Sequence, residues 1–499
     1  MSATSIETPP TAAAASEGRH VNKWLILVIA CMAQFMVVLD ITVVNIALPS
    51  IQTGLKFSSA NLQWVVNGYT LIFGGFLLLG GRAADLMGRK RLFVAGVILF
   101  SAASLLNGLA QSSGMLIVGR GLQGLGGALV SPAALAIITT TFTESGERTK
   151  ALGIWSAIAA SGSAVGLLMG GVLTDVASWR WVFFVNVPIG VMTVVLAVRY
   201  IIESRVVGAR RSYDLAGAAT VTGGLVVIVF AIVKAQSFGW GSARTLGLFA
   251  AGIVLLAAFL AIESRSESPL MRLSIFRVRS LAVGDAALLL VGSAMFGMFY
   301  FASLYVQQIL GYSPLKAGLA FLPVTAGIMI GAGLAQQLIK RFGVRNVAAA
   351  GTTLAALGLL VLTQLPVHGS YVNDLLSGLF PLSVGMGLVF VPLTLMATSG
   401  VSGDDAGLAS GLFNTAQQVG GSLGLAILST LAASQTSHLL SGHSATHAAA
   451  TVSGYHVAFL AAALMMFGAT GLLVVLLRKR HLAEVEQAIE SGEATLVAA

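Results

Sequence analysis

Residues 81–91 read GRAADLMGRKR, and residues 336–346 read QQLIKRFGVRN. Both runs are short and basic, both lie between long apolar stretches, and placing Gly88 on Gly343 sets Lys90 on Arg345. The likeness extends upstream, where ALPSIQTGLKFSSANLQ (47–63) answers YVQQILGYSPLKAGLAF (305–321). A loop that recurs with its flanks implies a chain built from two related halves, an architecture that suits a site between the halves at mid-membrane.

Working outward, a spanning helix needs about 20 largely apolar residues. Fourteen runs qualify, near 24–48, 61–81, 92–110, 114–138, 150–173, 181–200, 214–234, 245–262, 281–303, 317–339, 346–365, 375–397, 407–433 and 453–477. The repeat assigns spans 1–6 to one half and spans 9–14 to the other, with spans 7 and 8 as an inserted pair. The expected fold is an all-α polytopic membrane protein of two six-helix bundles plus two inserted helices. The expected divisions are a disordered cytoplasmic tail at 1–23, the first bundle at 24–205, the inserted pair with its linkers at 206–270, the second bundle at 271–480 and a cytoplasmic tail at 481–499. Residues 1–20 lack an apolar core, so no cleaved signal peptide is expected and the first span serves as its own anchor.

Composition agrees. Of 499 residues, 56% are hydrophobic and 9% charged, against about 25% charged in soluble chains. The 58 glycines suit closely packed membrane helices. The net charge of +9 does not mark a nucleic-acid binder, because the basic residues fall at intervals between apolar runs and no basic cluster is interleaved with aromatics. With the amino terminus inside, 22 of the 28 Lys and Arg face the cytoplasm, Lys56, Arg180, Lys234, Arg244 and Lys316 face outward, and Arg120 lies within a span. That bias places both termini in the cytoplasm. Cys31 is the single cysteine, which excludes an intrachain disulfide and a cysteine metal site.

Asp40 is the one charge between Trp24 and Leu48, at an insertion cost of roughly 2.5–3.5 kcal/mol. It lies about 12 Å below the outer end of span 1, and Arg120 about 9 Å below the same face on span 4. Equal depth lets the two pair if spans 1 and 4 are neighbours. Burial favours the neutral acid and a nearby arginine favours the carboxylate, so a pair of this kind can exchange a proton as its surroundings change. The alternative is a permanent ion pair that fixes helix packing. Asp285, near the cytoplasmic start of span 9, is a second candidate, with pairing to nearby arginines as its other reading.

Four motifs stand together: LDITVVNIALP (39–49), GGRAADLMGRKRL (80–92), RGLQGLGGAL (120–129) and GSAVGLLMGG (162–171). With fourteen spans, they resemble the major facilitator superfamily and its drug:proton antiporter branch of that size. The resemblance covers about residues 24–480. It implies proton coupling through Asp40 and Arg120, with Gln123, Gly124 and Gly127 completing the fourth-span motif. It implies a gating loop carried by Gly81, Asp85, Gly88, Arg89 and Arg91, with Gly81 and Gly88 permitting tight turns. It implies an antiporter glycine motif at Gly162, Gly166, Gly170 and Gly171. The family pattern has a proline after the middle glycine, where this chain has Leu167, so a weaker kink is expected. A plain packing face is the other reading of those glycines.

Asn45, Gln123, Asn414, Gln417 and Gln418 are candidate cavity-lining residues, the last three belonging to a polar stripe on span 13 that starts at Ser410. Trp64, Tyr69, Phe296, Phe299 and Tyr300 line a cavity, face lipid or fill the core. His438, His443 and His447 read as a solvated outer loop rather than a metal site, since no acid accompanies them. No cofactor is expected and no nucleotide-binding pattern is present. The expected function is export of small organic molecules in exchange for protons, by a monomer in the cytoplasmic membrane of a bacterium. A proton symporter and a polytopic membrane enzyme are the alternatives.

Overall fold

The computed structural model describes residues 22–205, 214–266, 269–398, 406–442 and 445–478, with 482 and 485. Most of both expected tails, and His443, lie outside the described residues. Among the described residues, fourteen helices are long and apolar enough to cross a membrane. They are α1 Lys23–Gly54, α2 Ser59–Met87, α3 Arg89–Gly108, α4 Ser113–Thr141, α5 Gly146–Val176, α6 Trp181–Tyr200, α7 Leu215–Phe238, α8 Ala243–Arg265, α9 Arg279–Ile309, α10 Pro314–Phe342, α11 Val344–Leu362, α12 Tyr371–Thr398, α13 Gly407–Ser441 and α14 His447–Leu476. Helices follow because an apolar run in hydrocarbon must satisfy its own backbone. Side-chain caps mark where several begin: Asn22 accepts from the Trp24 N–H (2.9 Å), Ser112 from Met115 (3.2 Å) and Thr446 from Ala449 (3.3 Å).

The two halves repeat the same packing. α1 lies on α5 and α6 as α9 lies on α13 and α14. α2 and α3 lie on α4 as α10 and α11 lie on α12, and α3 meets α6 as α11 meets α14. The repeated loops behave alike as well. Gly88 (φ 110°) and Gly343 (φ 79°) turn the chain through a region that side chains disfavour. Lys90 Nζ then donates to the Val198 carbonyl of α6 (2.8 Å), and Arg345 Nη1 to the Leu477 carbonyl beyond α14 (2.9 Å). Each loop thus ties down the end of its own half's sixth helix. The inserted pair packs on itself, and α7 also lies against α2 and α13.

Three expectations need correcting. Gly81 makes no turn: it is inside α2, which runs on to Met87. His438 and His447 are not in a loop but in the last turn of α13 and at the start of α14. α1 continues through Pro49 to Gly54, because a proline costs a helix one hydrogen bond and that loss is made good from the other half, as described below.

The halves meet along α2 and α13, where Thr70 bonds Ser422 and the Thr415 hydroxyl donates to the Gly74 carbonyl (3.2 Å). They also meet where α1 and α5 adjoin α9 and the start of α10. Nearer the Gly146 end of α5 and the Phe342 end of α10, a Cβ on Gly146, Gly153 or Gly333 would meet nothing within 4 Å. The face at which these helices touch is the outer one on the Lys and Arg bias.

Candidate functional site

The first half buries a polar network. Asp40 on α1 is 0% exposed and Arg120 on α4 is 1% exposed. The Arg120 Nη1 donates to Asp40 Oδ2. Gln123 Nε2 (2.6 Å) and Asn186 Nδ2 of α6 (3.1 Å) donate to Asp40 Oδ1. Every partner of Asp40 is a donor, as a carboxylate requires. Arg120 is held in turn: Nε donates to the Val65 carbonyl of α2 (2.9 Å) and Nη1 also to Gln123 Oε1 (2.8 Å). Its guanidinium carbon lies 4.5 Å from the Tyr69 ring centre and 5.9 Å from that of Phe183, a desolvated cation–π contact worth about 2 kcal/mol. Asn107 and Ser104 of α3 complete the network through Gln123 (2.8 and 2.7 Å).

The glycines of RGLQGLGGAL, with Gly119 just before it, explain how so large a side chain fits. A Cβ on Gly124 would strike the Tyr69 carbonyl, one on Gly127 would come within 2.9 Å of the Tyr69 hydroxyl, and one on Gly119 would strike Asn107 Oδ1. These absences let α2 and α3 approach α4 closely enough for Arg120 to reach Asp40 and Val65 together.

The α5 glycines serve two neighbours. Gly162, Gly166 and Gly170 lie against Val38, Thr42 and Val43 of α1. Gly171 turns to the second half, where a Cβ would meet the Pro314 carbonyl at 2.7 Å. Leu167, in the place of the family's proline, is 1% exposed, and its carbonyl faces Gly318 of α10. Beside this contact, Ser303 Oγ of α9 donates to the Asn45 carbonyl (2.7 Å), Gln307 Nε2 to that of Ile46 (2.9 Å) and Gln308 Nε2 to Gln52 Oε1 (2.8 Å). The Asn45 carbonyl is the one that Pro49, four residues on and lacking an N–H, leaves free. Gly318→Leu is therefore expected to hold the outer face ajar. In a Cys31→Ser background, a Ser303→Cys reporter, buried in the closed form, should then label severalfold faster with an impermeant maleimide from outside. Unchanged labelling would mean that this contact is not the seal.

Where α2 passes into α3, Asp85 pairs with Arg89 one turn on (2.8 Å). Glu203, beyond α6, accepts from the backbone N–H of Lys90 and Arg91 (3.1 Å each), and Arg91 Nε lies 3.7 Å from it. Glu203→Ala removes a helix cap, so thermal unfolding in detergent should show a loss of about 1 kcal/mol; an unshifted midpoint would contradict the capping role.

Of the residues expected to line a cavity, Asn45 is half-buried and Asn414 exposed. Gln123 (0% exposed) belongs to the charge network, and Gln418 (7%) packs on Gly74 of α2. Gln123 sits one turn from Arg120 and shares its face, and the α2–α13 seam takes Gln418. The Gln417 carbonyl lies against Gly292 of α9. Tyr69 lies under Arg120, Trp64 rests on Phe230 of α7 (6.3 Å between ring centres), Phe296 covers Gly421, Phe299 meets Phe321 (5.9 Å) and Tyr300 is buried beside Phe301 (5.2 Å). Asp285 is buried and joins no arginine among the described residues. No metal-binding group of His, Cys, Asp or Glu occurs among the described residues.

Comparison with known proteins places this geometry in context. The family model of the Major Facilitator Superfamily matches residues 30–425. The chain is 41% identical over 503 residues to the puromycin resistance protein pur8 of Streptomyces alboniger, covering 99% of this chain and 98% of that protein. It is 41% identical over 414 residues to the cephamycin export protein CmcT of Amycolatopsis lactamdurans, covering 82% and 85%. Among solved structures, a bacterial homologue of the human lysosomal transporter Spinster superposes with a TM-score of 0.64 at 16% identity, covering 94% of this chain and 99% of that one.

Proposed function

The chain belongs to the major facilitator superfamily, and from that premise we propose that it exports small organic molecules, antibiotics among them, from the cytoplasm in exchange for protons. It is a multi-pass membrane transporter, not an enzyme. Relatives named for puromycin resistance and cephamycin export support the direction and the class of cargo. The observation that carries the coupling is the buried Asp40–Arg120 pair, in which every partner of the carboxylate is a donor.

A proton arriving from outside neutralises Asp40 and breaks its bonds to Arg120, Gln123 and Asn186. That loosens α1 from α4 and α6. The same helix carries the Asn45 and Ile46 carbonyls of the outer seal and the face on which the α5 glycines ride, so the seal and the carboxylate move together. Loss of the proton to the cytoplasm restores the pair and the closed outer face. One charge crossing 100 mV releases about 2.3 kcal/mol, to which a pH gradient adds. The division into two bundles at 24–205 and 271–480 provides the rocking halves. The protein works as a monomer in the cytoplasmic membrane of a bacterium, with both termini inside, as the Lys and Arg bias requires.

Cells expressing the chain are expected to accumulate less ethidium and to survive more puromycin than vector controls, and a protonophore should abolish both effects. Accumulation equal to the control for both compounds would contradict the export reading.

A further inference from the structure

Asp285 on α9 differs from Asp40 in every respect but burial. It is 5% exposed, and neither carboxylate oxygen has a hydrogen-bond partner. It lies six residues past Arg279, about 9 Å along the helix from the cytoplasmic end. By helical spacing it shares the face of Gly292, seven residues on. Gly292 lies against the Gln417 carbonyl and Gly421 of α13, and Gly284, beside Asp285, lies against Met396 of α12. The carboxyl group is therefore enclosed near the junction of α9, α12 and α13.

No described cation answers it. The elements packed on α9 are α1, α12, α13, α14 and the turn Leu273–Arg277. Arg277 and Arg279 are the cations nearest in sequence at this end, and neither bonds to Asp285. Lys23 of α1 is engaged by Glu147 (2.8 Å). Asp374, His438 and His447 belong to the outer ends of their helices, and His456, further along α14, bonds the Leu365 carbonyl (2.7 Å). An ionised carboxylate enclosed without a partner costs several kcal/mol, and binding a proton removes that cost.

We propose that Asp285 is a second proton-binding site, on the second half, filled while the outer face is closed and emptied when α13 shifts against α9. The link is α13 itself, which borders the Asp285 side of α9 and carries Thr415, Gln418 and Ser422 to α2 of the first half. Rocking the halves moves α13 and opens Asp285 to water. The Asp285 O–H bond then breaks, the carboxylate remains and the proton passes to that water. The role in coupling rests on the proton-exchange reading above; the proton occupancy does not.

The test is infrared spectroscopy of the whole chain in lipid vesicles at neutral pH, read at the C=O stretch of protonated carboxyl groups. The wild type minus Asp285→Asn difference should contain a band equivalent to one carboxyl per chain, and Asp285→Leu should lose the same band. Gly318→Trp, which cannot seat α10 against Leu167, should lose it too. An Asp285→Asn difference without that band would overturn the site. A band that survives in Gly318→Trp would overturn the switching. If the band behaves as expected while Asp40→Asn still exchanges ethidium for protons, the Asp285 site stands and the Asp40 reading fails. Unfolding midpoints keep the variants comparable: Asp285→Leu should be no less stable than the wild type, because it removes an unpartnered buried polar group.

Discussion

Asp40→Asn is expected to reduce ethidium efflux from cells to the vector background while the protein reaches the membrane at the wild-type level. Asparagine keeps the shape of the side chain, and its carbonyl oxygen still accepts from Gln123 and Asn186. It removes the charge that answers Arg120 and the site that takes a proton. The guanidinium keeps its bonds to the Val65 carbonyl (2.9 Å) and Gln123 Oε1 (2.8 Å), so the destabilisation should fall at or below the roughly 3–5 kcal/mol that breaking a buried pair costs. Asp40→Glu is the companion measurement. It retains a titratable acid and should retain partial efflux where asparagine retains none. Full efflux by Asp40→Asn would make the pair a packing device.

Arg120→Leu is expected to be the most destabilising of the simple variants, by about 3–5 kcal/mol. It strands Asp40, deprives the Val65 carbonyl of a donor and leaves Tyr69 and Phe183 without the cation between them. Efflux should stop as well, because the pair on which the proposed exchange depends is gone. Combining Arg120→Leu with Asp40→Asn should recover much of the lost stability, because no charge remains buried, yet recover no transport. A cycle of this kind reads coupling of up to about 3 kcal/mol between contacting residues. Additive unfolding midpoints would show that the two side chains do not act as a pair.

The spans and the repeat were legible because hydrocarbon imposes a length and a composition on every crossing, and because a glycine followed by a basic residue has a mechanical use that recurs. Lys90 and Arg345 were aligned on letters alone, and both tie down the end of a sixth helix. The depth argument brought Asp40 and Arg120 to one level, and the structure joins them. What remained hidden is tertiary. Ser104, Asn107 and Asn186 are polar residues scattered among apolar neighbours on two helices, and no periodicity announces that they converge. Their only signal is that each is a polar side chain that lipid would penalise. The place of Gln123 in the network is readable from spacing, since it is three residues from Arg120 and shares its face. The outer seal carried a sequence signal that was readable from backbone chemistry: Pro49 frees the Asn45 carbonyl, which then needs a donor. That the donor is Ser303, 258 residues on, follows only from how the halves close.

In the proposed cycle, substrate and proton move in opposite directions. The most direct test uses proteoliposomes enclosing a pH indicator, with ethidium added outside and no imposed gradient of protons. Downhill entry of ethidium through the wild type should make the lumen more alkaline, and Asp40→Asn should leave it unchanged. Ethidium entering the wild type with no change in luminal pH, or with acidification, would contradict the account.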